Sequence, residues 1–263
     1  MAHKFTDHFR VRQHELNSRD ELPNRALAHL FQETSMRAST DAGFGVEWYV
    51  EHNSVWVIHQ MTLEHLRPIR YDDELAITTW LSDMGRVRSH REYLALDDRT
   101  GEIVARGRAH WAHLDRQNLF PSRIPASILE QFAPDGVRAI SRLEPRLYPP
   151  PAHPIERRAA RRVQHYEADS MQHVNNAIYY DWIEETIADI VPLRLCIRRH
   201  DIEYMRGALP GNAVEIVTRL TGAGKCATTW ESLVTRAGEL LVRDRMTALW
   251  LDGNGHPARH PIV

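Results

Sequence analysis

Two segments of the chain place hydrophobic residues at the three-to-four-residue spacing of an amphipathic helix. The first runs from Asn24 to about Ala42, and the second begins near Asn176. In each segment the apolar positions form one broad face. The sequence therefore predicts one long helix in each half of the chain. The core positions are Leu27, Leu30, Phe31 and Thr34 in the first helix, and Ile178, Trp182, Ile183, Ile187 and Ile190 in the second.

Eight further segments are rich in Val, Ile, Thr, Trp and Tyr and show partial alternation of apolar and polar residues, which is typical of strands. Turn residues separate them, as in Asp98–Gly101 and Thr221–Gly224. With a strand before each helix, they predict an α+β fold in which a curled, antiparallel sheet wraps one long helix. The segments lie near residues 54–66, 74–83, 87–97 and 102–115, and near 195–206, 213–221, 227–235 and 239–252.

The two halves of the chain are copies of one domain. Residues of the first helix recur in the second, with Asn24, Glu33 and Thr34 matching Asn176, Glu185 and Thr186. The strands repeat as well, because Leu63–Arg67 matches Ile202–Arg206. The repeat is on the order of 140 residues, far longer than a solenoid or propeller repeat. We predict an N-terminal copy at residues 1–135, a proline-rich linker at 136–160 and a C-terminal copy at 161–263.

Composition narrows the class of protein. The chain has 263 residues, of which 43% are hydrophobic, and its formal net charge is −2. Such a chain can bury a substantial core and has no overall attraction to nucleic acid or to a membrane surface. It has no apolar run of about 18 residues, and its first residues lack the apolar core of a signal peptide. We therefore expect a cytoplasmic protein without membrane insertion.

Several kinds of chemistry find no support in the sequence. Cys196 and Cys226 are too few for a disulfide framework, and we expect both to be small buried hydrophobes. No pair among the 16 histidines falls at a recognisable metal-ligand spacing, so we predict no metal and no cofactor. A glycine-rich phosphate loop and a G-x-S-x-G nucleophile motif are also missing, which argues against nucleotide enzymes and serine hydrolases.

The strongest chemical candidate is the loop before the second helix. Asp169 and His173 lie four positions apart there, next to a helix N-terminus whose unpaired N–H groups can stabilise an oxyanion. Asp169 can act as a general base on water or as a nucleophile, and His173 can orient water or bind a carbonyl. Asn175 and Asn176 are placed to cap the helix and are candidates for substrate contact, as is Glu185. The N-terminal copy has Asn17 and Glu21 in place of Asp169 and His173, so the pair is specific to one copy.

The pattern D-x-x-x-H-V-N-N-x-x-Y-x-x-W-x-E-E, which begins at Asp169, resembles the hotdog-fold thioesterases related to 4-hydroxybenzoyl-CoA thioesterase. Ser54–Met61, Trp111 and Ser122–Pro125 are similar to the first half of acyl-ACP thioesterases. Gln172–Asn176 is similar to their second half. The resemblance covers nearly the whole chain and implies a tandem hotdog fold.

The resemblance also implies a function in lipid metabolism, namely hydrolysis of fatty acyl-ACP to free fatty acid in fatty acid biosynthesis. It assigns the reaction to the C-terminal copy, with Asp169 and His173 catalytic, and the acyl chain to the N-terminal copy. Plant members have Asn at the position of Met171, and a Glu-Cys pair at the positions of Gly207 and Ala208. The complete plant catalytic set is therefore absent from this sequence.

Two other functions remain open. One is an acyl-CoA thioesterase for short, branched or aromatic acyl groups, and the other is a non-catalytic acyl-binding protein. Basic residues at Arg157–Arg162 and at Arg198-Arg199 can contact an acidic carrier protein or the phosphates of CoA, or can simply face solvent near the linker. A homodimer of the tandem unit is also compatible with the sequence.

Overall fold

The computed structural model describes residues 3–141, 148–151, 153–188, 195–252 and 256–259. The chain divides into two compact units, Met1–Ser141 and Arg142–Val263. No helix among the described residues has the length and hydropathy needed to cross a membrane. The predicted core positions are described except for Ile190, which lies outside these ranges.

The N-terminal unit packs one long helix on an antiparallel sheet. Its described strands follow the order β1-β3-β4-β5-β2, with every neighbouring pair antiparallel. The predicted helix and its four following strands are confirmed to within one residue at most ends. The elements are β1 Phe5–Arg10, α1 Asn24–Asp41, α2 Val46–Glu51, β2 Ser54–His65, β3 Glu74–Met84, β4 Arg88–Asp97, β5 Ile103–Asp115 and α3 Ala126–Phe132.

The C-terminal unit repeats this architecture. Its described strands follow the order β6-β8-β9-β10-β7, again with antiparallel neighbours. Each copy is therefore the α+β hotdog arrangement that the sequence predicted. The elements are β6 Glu156–Arg162, α4 Ile178–Ala188, β7 Leu195–Tyr204, β8 Ala213–Ala223, β9 Ala227–Arg236 and β10 Glu239–Trp250.

The core of each unit lies between the long helix and the sheet. In the N-terminal unit, Phe31 of α1 stacks on Tyr93 of β4 with ring centroids 4.8 Å apart. In the C-terminal unit, Trp182 and Ile183 of α4 are buried, as their helical spacing predicted. Burying each such side chain stabilises the fold by roughly 1.5–3 kcal/mol. The apolar face of each helix therefore fixes the height and orientation of the loop that precedes it.

Two features of the N-terminal unit were not predicted. The short helices α2 and α3 have no clear periodicity in sequence because each is at most seven residues long. They form because apolar residues around them pack into a separate cluster that includes Phe44, Leu81 and Phe132. The sequence predicted the neighbouring strands but not these two short helices, which cover part of the core.

The predicted linker and one predicted turn need correction. Residues at both ends of the predicted range 136–160 belong to the units, since Ala139 N–H donates to Glu92 Oε2 at 3.0 Å and β6 begins at Glu156. The intervening prolines 149, 150, 151 and 154 lie outside helices and strands, and Pro145 lies outside the described residues. Thr221–Gly224 was predicted as a turn, but β8 runs through to Ala223 with a register shift at 220–222. Gly222 lies at this β-bulge, and the turn follows the end of β8.

Candidate active site

The predicted catalytic pair lies on one tight hairpin loop. The backbone N–H of Asp169 donates to the carbonyl of His173 at 2.8 Å, and the N–H of Gln172 donates to the carbonyl of Asp169 at 3.0 Å. Gln172 closes the turn in the left-handed region, with φ of 62°. Ala168 and Val174 form the next bridge of this hairpin. Residues directly opposite in an antiparallel pair point to the same face, so the Asp169 and His173 side chains share one face of the loop.

The backbone of Met171 holds both side chains. Its N–H donates to Asp169 Oδ1 at 2.8 Å, and its carbonyl lies 2.8 Å from His173 Nδ1. Because a carbonyl oxygen only accepts, His173 Nδ1 carries a proton. Neither Asp169 Oδ2 nor His173 Nε2 has a hydrogen-bond partner in the part of the chain that the structure describes. The two atoms able to act on a substrate are therefore free, and the contacts to Asp169 and His173 come from the backbone of Met171, not from its side chain.

Buried Glu167 anchors the loop at residues 169–173 to the rest of the unit. Its carboxylate accepts a hydrogen bond from Trp182 Nε1 at 2.9 Å and one from the Gln164 N–H at 2.7 Å, and it pairs with Arg161. The Arg161 guanidinium also lies over the Trp182 ring, 4.4 Å from its centroid. The Glu167 carbonyl accepts from the N–H of Asn175 at 2.9 Å. A single buried carboxylate thus ties β6, the catalytic loop and α4 together.

The start of α4 supplies a candidate oxyanion donor. Asn175 Oδ1 accepts from the Ala177 N–H at 2.9 Å, which is the capping role predicted for it. The Asn176 side chain makes no such cap, and its carbonyl accepts from the Tyr204 hydroxyl at 3.0 Å. The backbone N–H of Asn176 has no hydrogen-bond partner among the described residues. This free donor at a helix N-terminus is suited to a developing negative charge.

The segment after β7 lies along the other side of the loop. The Val174 N–H donates to the Ala208 carbonyl at 2.9 Å, and the Ala208 N–H donates to the Tyr179 hydroxyl oxygen at 3.0 Å. Burial raises the pKa of Tyr179 to about 12, so its hydroxyl stays neutral. Tyr179 is buried, and so is Trp182, which was predicted as a core residue. Sequence reasoning did not identify Glu167 or Tyr204, whose roles depend on partners far away in sequence.

Glu185 lies on the outer face of α4. Its side chain is exposed, whereas Trp182, Ile183 and Thr186 on the inner face are buried. The equivalent Glu33 of α1 is also exposed. The shared glutamates therefore face solvent in both copies, and the substrate contact suggested for Glu185 remains a prediction that the site geometry does not use.

A second polar cluster lies between α4 and the sheet and was missed from sequence. His200 of β7 is fully buried, with Nδ1 2.6 Å from Asp244 Oδ2 and Nε2 3.3 Å from Glu184 Oε1. Burial lowers the pKa of His200, but the adjacent Asp244 carboxylate more than offsets this and raises it to about 10. The imidazole is therefore protonated at neutral pH and holds two carboxylates together. The sequence Arg198–Asp201 gave little indication of this buried cluster, because it resembles an exposed basic segment.

The N-terminal unit contains the same loop without the Asp169 and His173 side chains. The Asn17 N–H donates to the Glu21 carbonyl at 2.9 Å, and the Asp20 N–H donates to the Asn17 carbonyl at 3.0 Å. Asp20 closes the turn with φ of 56°, as Gln172 does with 62°. Asn17 Oδ1 also accepts a hydrogen bond from a backbone N–H two residues on, at 2.9 Å. The loop backbone is thus a structural feature of both copies, and Asp169 and His173 are additions in one of them.

No group of three His, Cys, Asp or Glu side chains among the described residues is arranged to hold a metal ion. The chemistry available at the loop is therefore that of a carboxylate, an imidazole and a backbone N–H. These groups suit acyl transfer to water, in which a base or nucleophile acts on a carbonyl and a donor stabilises the tetrahedral oxygen.

Comparison with known proteins finds related sequences. The chain is 24% identical over 228 residues to the acyl-[acyl-carrier-protein] hydrolase FATB3, chloroplastic, of Cuphea viscosissima, covering 82% of this chain and 55% of that protein. It is 21% identical over 235 residues to oleoyl-acyl carrier protein thioesterase 1, chloroplastic, of Arabidopsis thaliana, covering 82% of this chain and 64% of that one. The chain thus spans less than two thirds of the length of either relative.

Solved structures of similar proteins share the fold. The 12:0-ACP thioesterase from Umbellularia californica matches with a TM-score of 0.74 at 20% identity, covering 94% of this chain and 97% of that one. An acyl-ACP thioesterase from Bacteroides thetaiotaomicron gives 0.74 at 19% identity, covering 93% and 97%. Residues 2–132 match the acyl-ACP thioesterase N-terminal domain, and residues 155–246 match the acyl-ACP thioesterase C-terminal domain. The chain therefore belongs to the acyl-ACP thioesterase family.

Proposed function

We propose that the protein hydrolyses fatty acyl thioesters carried by acyl carrier protein, releasing free fatty acid and the carrier thiol. The observation that carries the proposal is the hairpin at 169–173. It presents Asp169 Oδ2 and His173 Nε2 on one face, both without partners among the described residues, next to the start of α4. Membership of the acyl-ACP thioesterase family supports the same reaction.

The residues divide the reaction between them. Asp169 acts on the thioester either through a water that it deprotonates or by direct attack, which forms a transient anhydride. His173 Nε2 holds the attacking water or receives its proton, since Nδ1 is already protonated. The Asn176 N–H stabilises the tetrahedral oxyanion. In the water route, the tetrahedral intermediate expels the carrier thiolate rather than hydroxide, because a thiol is more acidic than water. In the direct route, the thiolate leaves as the anhydride forms, and a water then cleaves the anhydride to free fatty acid and regenerates the Asp169 carboxylate.

The loss of three plant-type positions does not disable this site. Asn is replaced by Met171, but the backbone of Met171 makes the contacts to both catalytic side chains. Ala208, at the position of the plant Cys, holds Val174 through its carbonyl. The proposed chemistry therefore needs only Asp169, His173 and backbone donors, as in single-domain hotdog thioesterases.

The basic strand β6 supplies the contact for an acidic carrier protein. Arg158 pairs with Glu156 and Glu215, and Arg161 pairs with Glu167, so these two side chains serve the fold. Arg157 and Arg162 are exposed. The Arg162 guanidinium lies beside Gly211 at the rim of a shallow groove. We assign carrier contact to Arg162, and fold stability to Arg158 and Arg161.

Single-turnover hydrolysis of a panel of acyl-ACPs and matching acyl-CoAs tests the proposal. We expect release of free acid, with acyl-ACP turned over faster than acyl-CoA at low salt. Faster turnover of short or aromatic acyl-CoA would replace the carrier assignment and keep the reaction. Acyl binding without turnover of any substrate would contradict the thioesterase function and favour an acyl-binding protein.

A further inference from the structure

The imidazole of His173 packs directly against the backbone of Gly207. A Cβ built on Gly207 would lie 2.4 Å from His173 Cδ2 and 3.0 Å from Cγ, closer than any real side-chain contact allows. Gly207 is not among the described residues with positive φ, so its backbone conformation is open to any residue. The reason for glycine at this position is therefore the space that the His173 ring occupies.

The N-terminal copy provides an internal comparison. The same two segments meet there, because the Leu22 N–H donates to the Ile69 carbonyl at 2.8 Å, as the Val174 N–H donates to the Ala208 carbonyl at 2.9 Å. By this pairing Pro68 occupies the place of Gly207. The residue facing it is Glu21, where the C-terminal copy has His173. A side chain at this position is thus compatible with the shared backbone of the two segments.

We propose that Gly207 is a positioning residue for catalysis, whose bare Cα forms one wall of a seat for the His173 ring. The Met171 carbonyl forms the second contact of this seat, at Nδ1. Tyr179 holds the wall in place, because its buried hydroxyl accepts a hydrogen bond from the next residue, Ala208. The inference rests on the proposed thioesterase function, because it assigns the seat to the reaction.

The seat controls the direction of one catalytic atom. With Nδ1 bonded to Met171 and the Cγ–Cδ2 edge of the ring against Gly207, His173 Nε2 is left as the only ring nitrogen free to act, and its direction is fixed. A methyl group at position 207 has to displace the ring, which is a side chain able to rotate. The expected damage is therefore to the geometry of Nε2 more than to the stability of the fold, and a misplacement of about 1 Å can cost roughly 100-fold in rate.

The test compares Gly207→Ala with Gly85→Ala as a matched control. A Cβ on Gly85 meets nothing closer than 3.8 Å, so the control adds the same methyl group without crowding. We expect Gly207→Ala to lower kcat roughly 10- to 100-fold with little change in KM, and Gly85→Ala to leave both unchanged. In a His173→Ala background, the Gly207→Ala change should cost less than about 2-fold, since no ring remains to be displaced.

An NMR readout separates this inference from the proposed function. The imidazole ¹⁵N signals of His173 should show a protonated Nδ1 in the wild type and a changed tautomer ratio in Gly207→Ala. Equal losses of kcat in the presence and absence of His173, or unchanged ¹⁵N signals, would overturn the positioning role. If the wild type hydrolyses no acyl thioester, the proposed function fails, and the ¹⁵N comparison still decides whether Gly207 seats the ring.

Discussion

Replacing Glu167 by Ala should destabilise the C-terminal unit and disable the catalytic loop together. Glu167 is only 4% exposed and lies two residues before Asp169. Its carboxylate binds Arg161, Trp182 Nε1 and the Gln164 N–H. The substitution leaves the buried Trp182 N–H without an acceptor and the partly buried Arg161 without its counter-charge.

The magnitude follows from these contacts. An unsatisfied buried donor costs about 1–3 kcal/mol, and removing one partner of a buried ion pair costs about 3–5 kcal/mol. Arg161 is partly exposed, with 31% of its side chain accessible, so water recovers part of the second cost. We expect a loss of about 3 kcal/mol in the free energy of unfolding. For a unit of this size that corresponds to a drop of roughly 10 °C in Tm.

The N-terminal copy offers a matched control at Glu15. This residue closes the same kind of short turn, with Oε2 accepting from the Arg12 N–H at 2.8 Å. Its charged partner, the Arg12 side chain, is 67% exposed, and Glu15 makes no bond to a buried tryptophan. An exposed pair of this kind contributes little to stability, because water and salt screen the two charges. Glu15→Ala should therefore lower Tm by only a few degrees.

Calorimetry and urea unfolding of the two variants, followed by hydrolysis assays at a temperature where both are folded, measure these effects. We expect Glu167→Ala to lose activity even when folded, because the loop that carries Asp169 has lost its anchor. Equal destabilisation by the two substitutions would refute the reasoning. Full activity of folded Glu167→Ala would show that the loop holds its geometry without the carboxylate.

Three further predictions follow from single contacts. Asn175→Ala should lower the free energy of unfolding by about 1 kcal/mol in urea titrations, and Asn176→Ala by much less, because only Asn175 caps α4; equal losses would contradict the cap assignment. The pKa of His200 is raised to about 10. The contribution of protonated His200 to folding stability is therefore fully present below about 6.5, the pKa of an unperturbed histidine, and is lost as pH rises through about 10. The stability difference between wild type and His200→Gln, roughly 3 kcal/mol at pH 7, should therefore shrink toward pH 10.5, and a constant difference would argue against the ion pair. Replacing Arg162 with Ser should raise KM for acyl-ACP several-fold at low salt and leave Tm unchanged, and an unchanged KM would remove Arg162 from carrier recognition.

Sequence patterns predicted the elements well where each segment is long and half-buried. The strand ranges, the helix α1 and the duplication all depend on periodic burial, which a single sequence records. The failures occur where structure depends on distant partners. Residues 136–140 were predicted as linker, yet the Ala139 N–H donates to Glu92, and the arginine-rich strand β6 begins at Glu156, inside the predicted linker.

The site shows the same division. Asp169, His173 and Asn175 could be proposed as site residues because the motif that contains them is local. Glu167 and Gly207 could not, since a buried Glu and an ordinary Gly acquire their roles only from Trp182 and His173 in the folded unit. The comparison of the two copies gave the best signal available, because shared residues mark the scaffold and unshared residues mark the chemistry.

Comparing Asp169→Asn with Asn17→Ala in single-turnover hydrolysis of acyl-ACP tests the central claim most directly. The two residues occupy the same place on the same loop in the two copies, and each accepts a backbone hydrogen bond through its side chain. We predict that Asp169→Asn lowers the rate at least about 100-fold, whereas Asn17→Ala changes it by less than about 3-fold. Retained hydrolysis in Asp169→Asn, or an equal loss in both variants, would contradict the assignment of the reaction to the loop before α4.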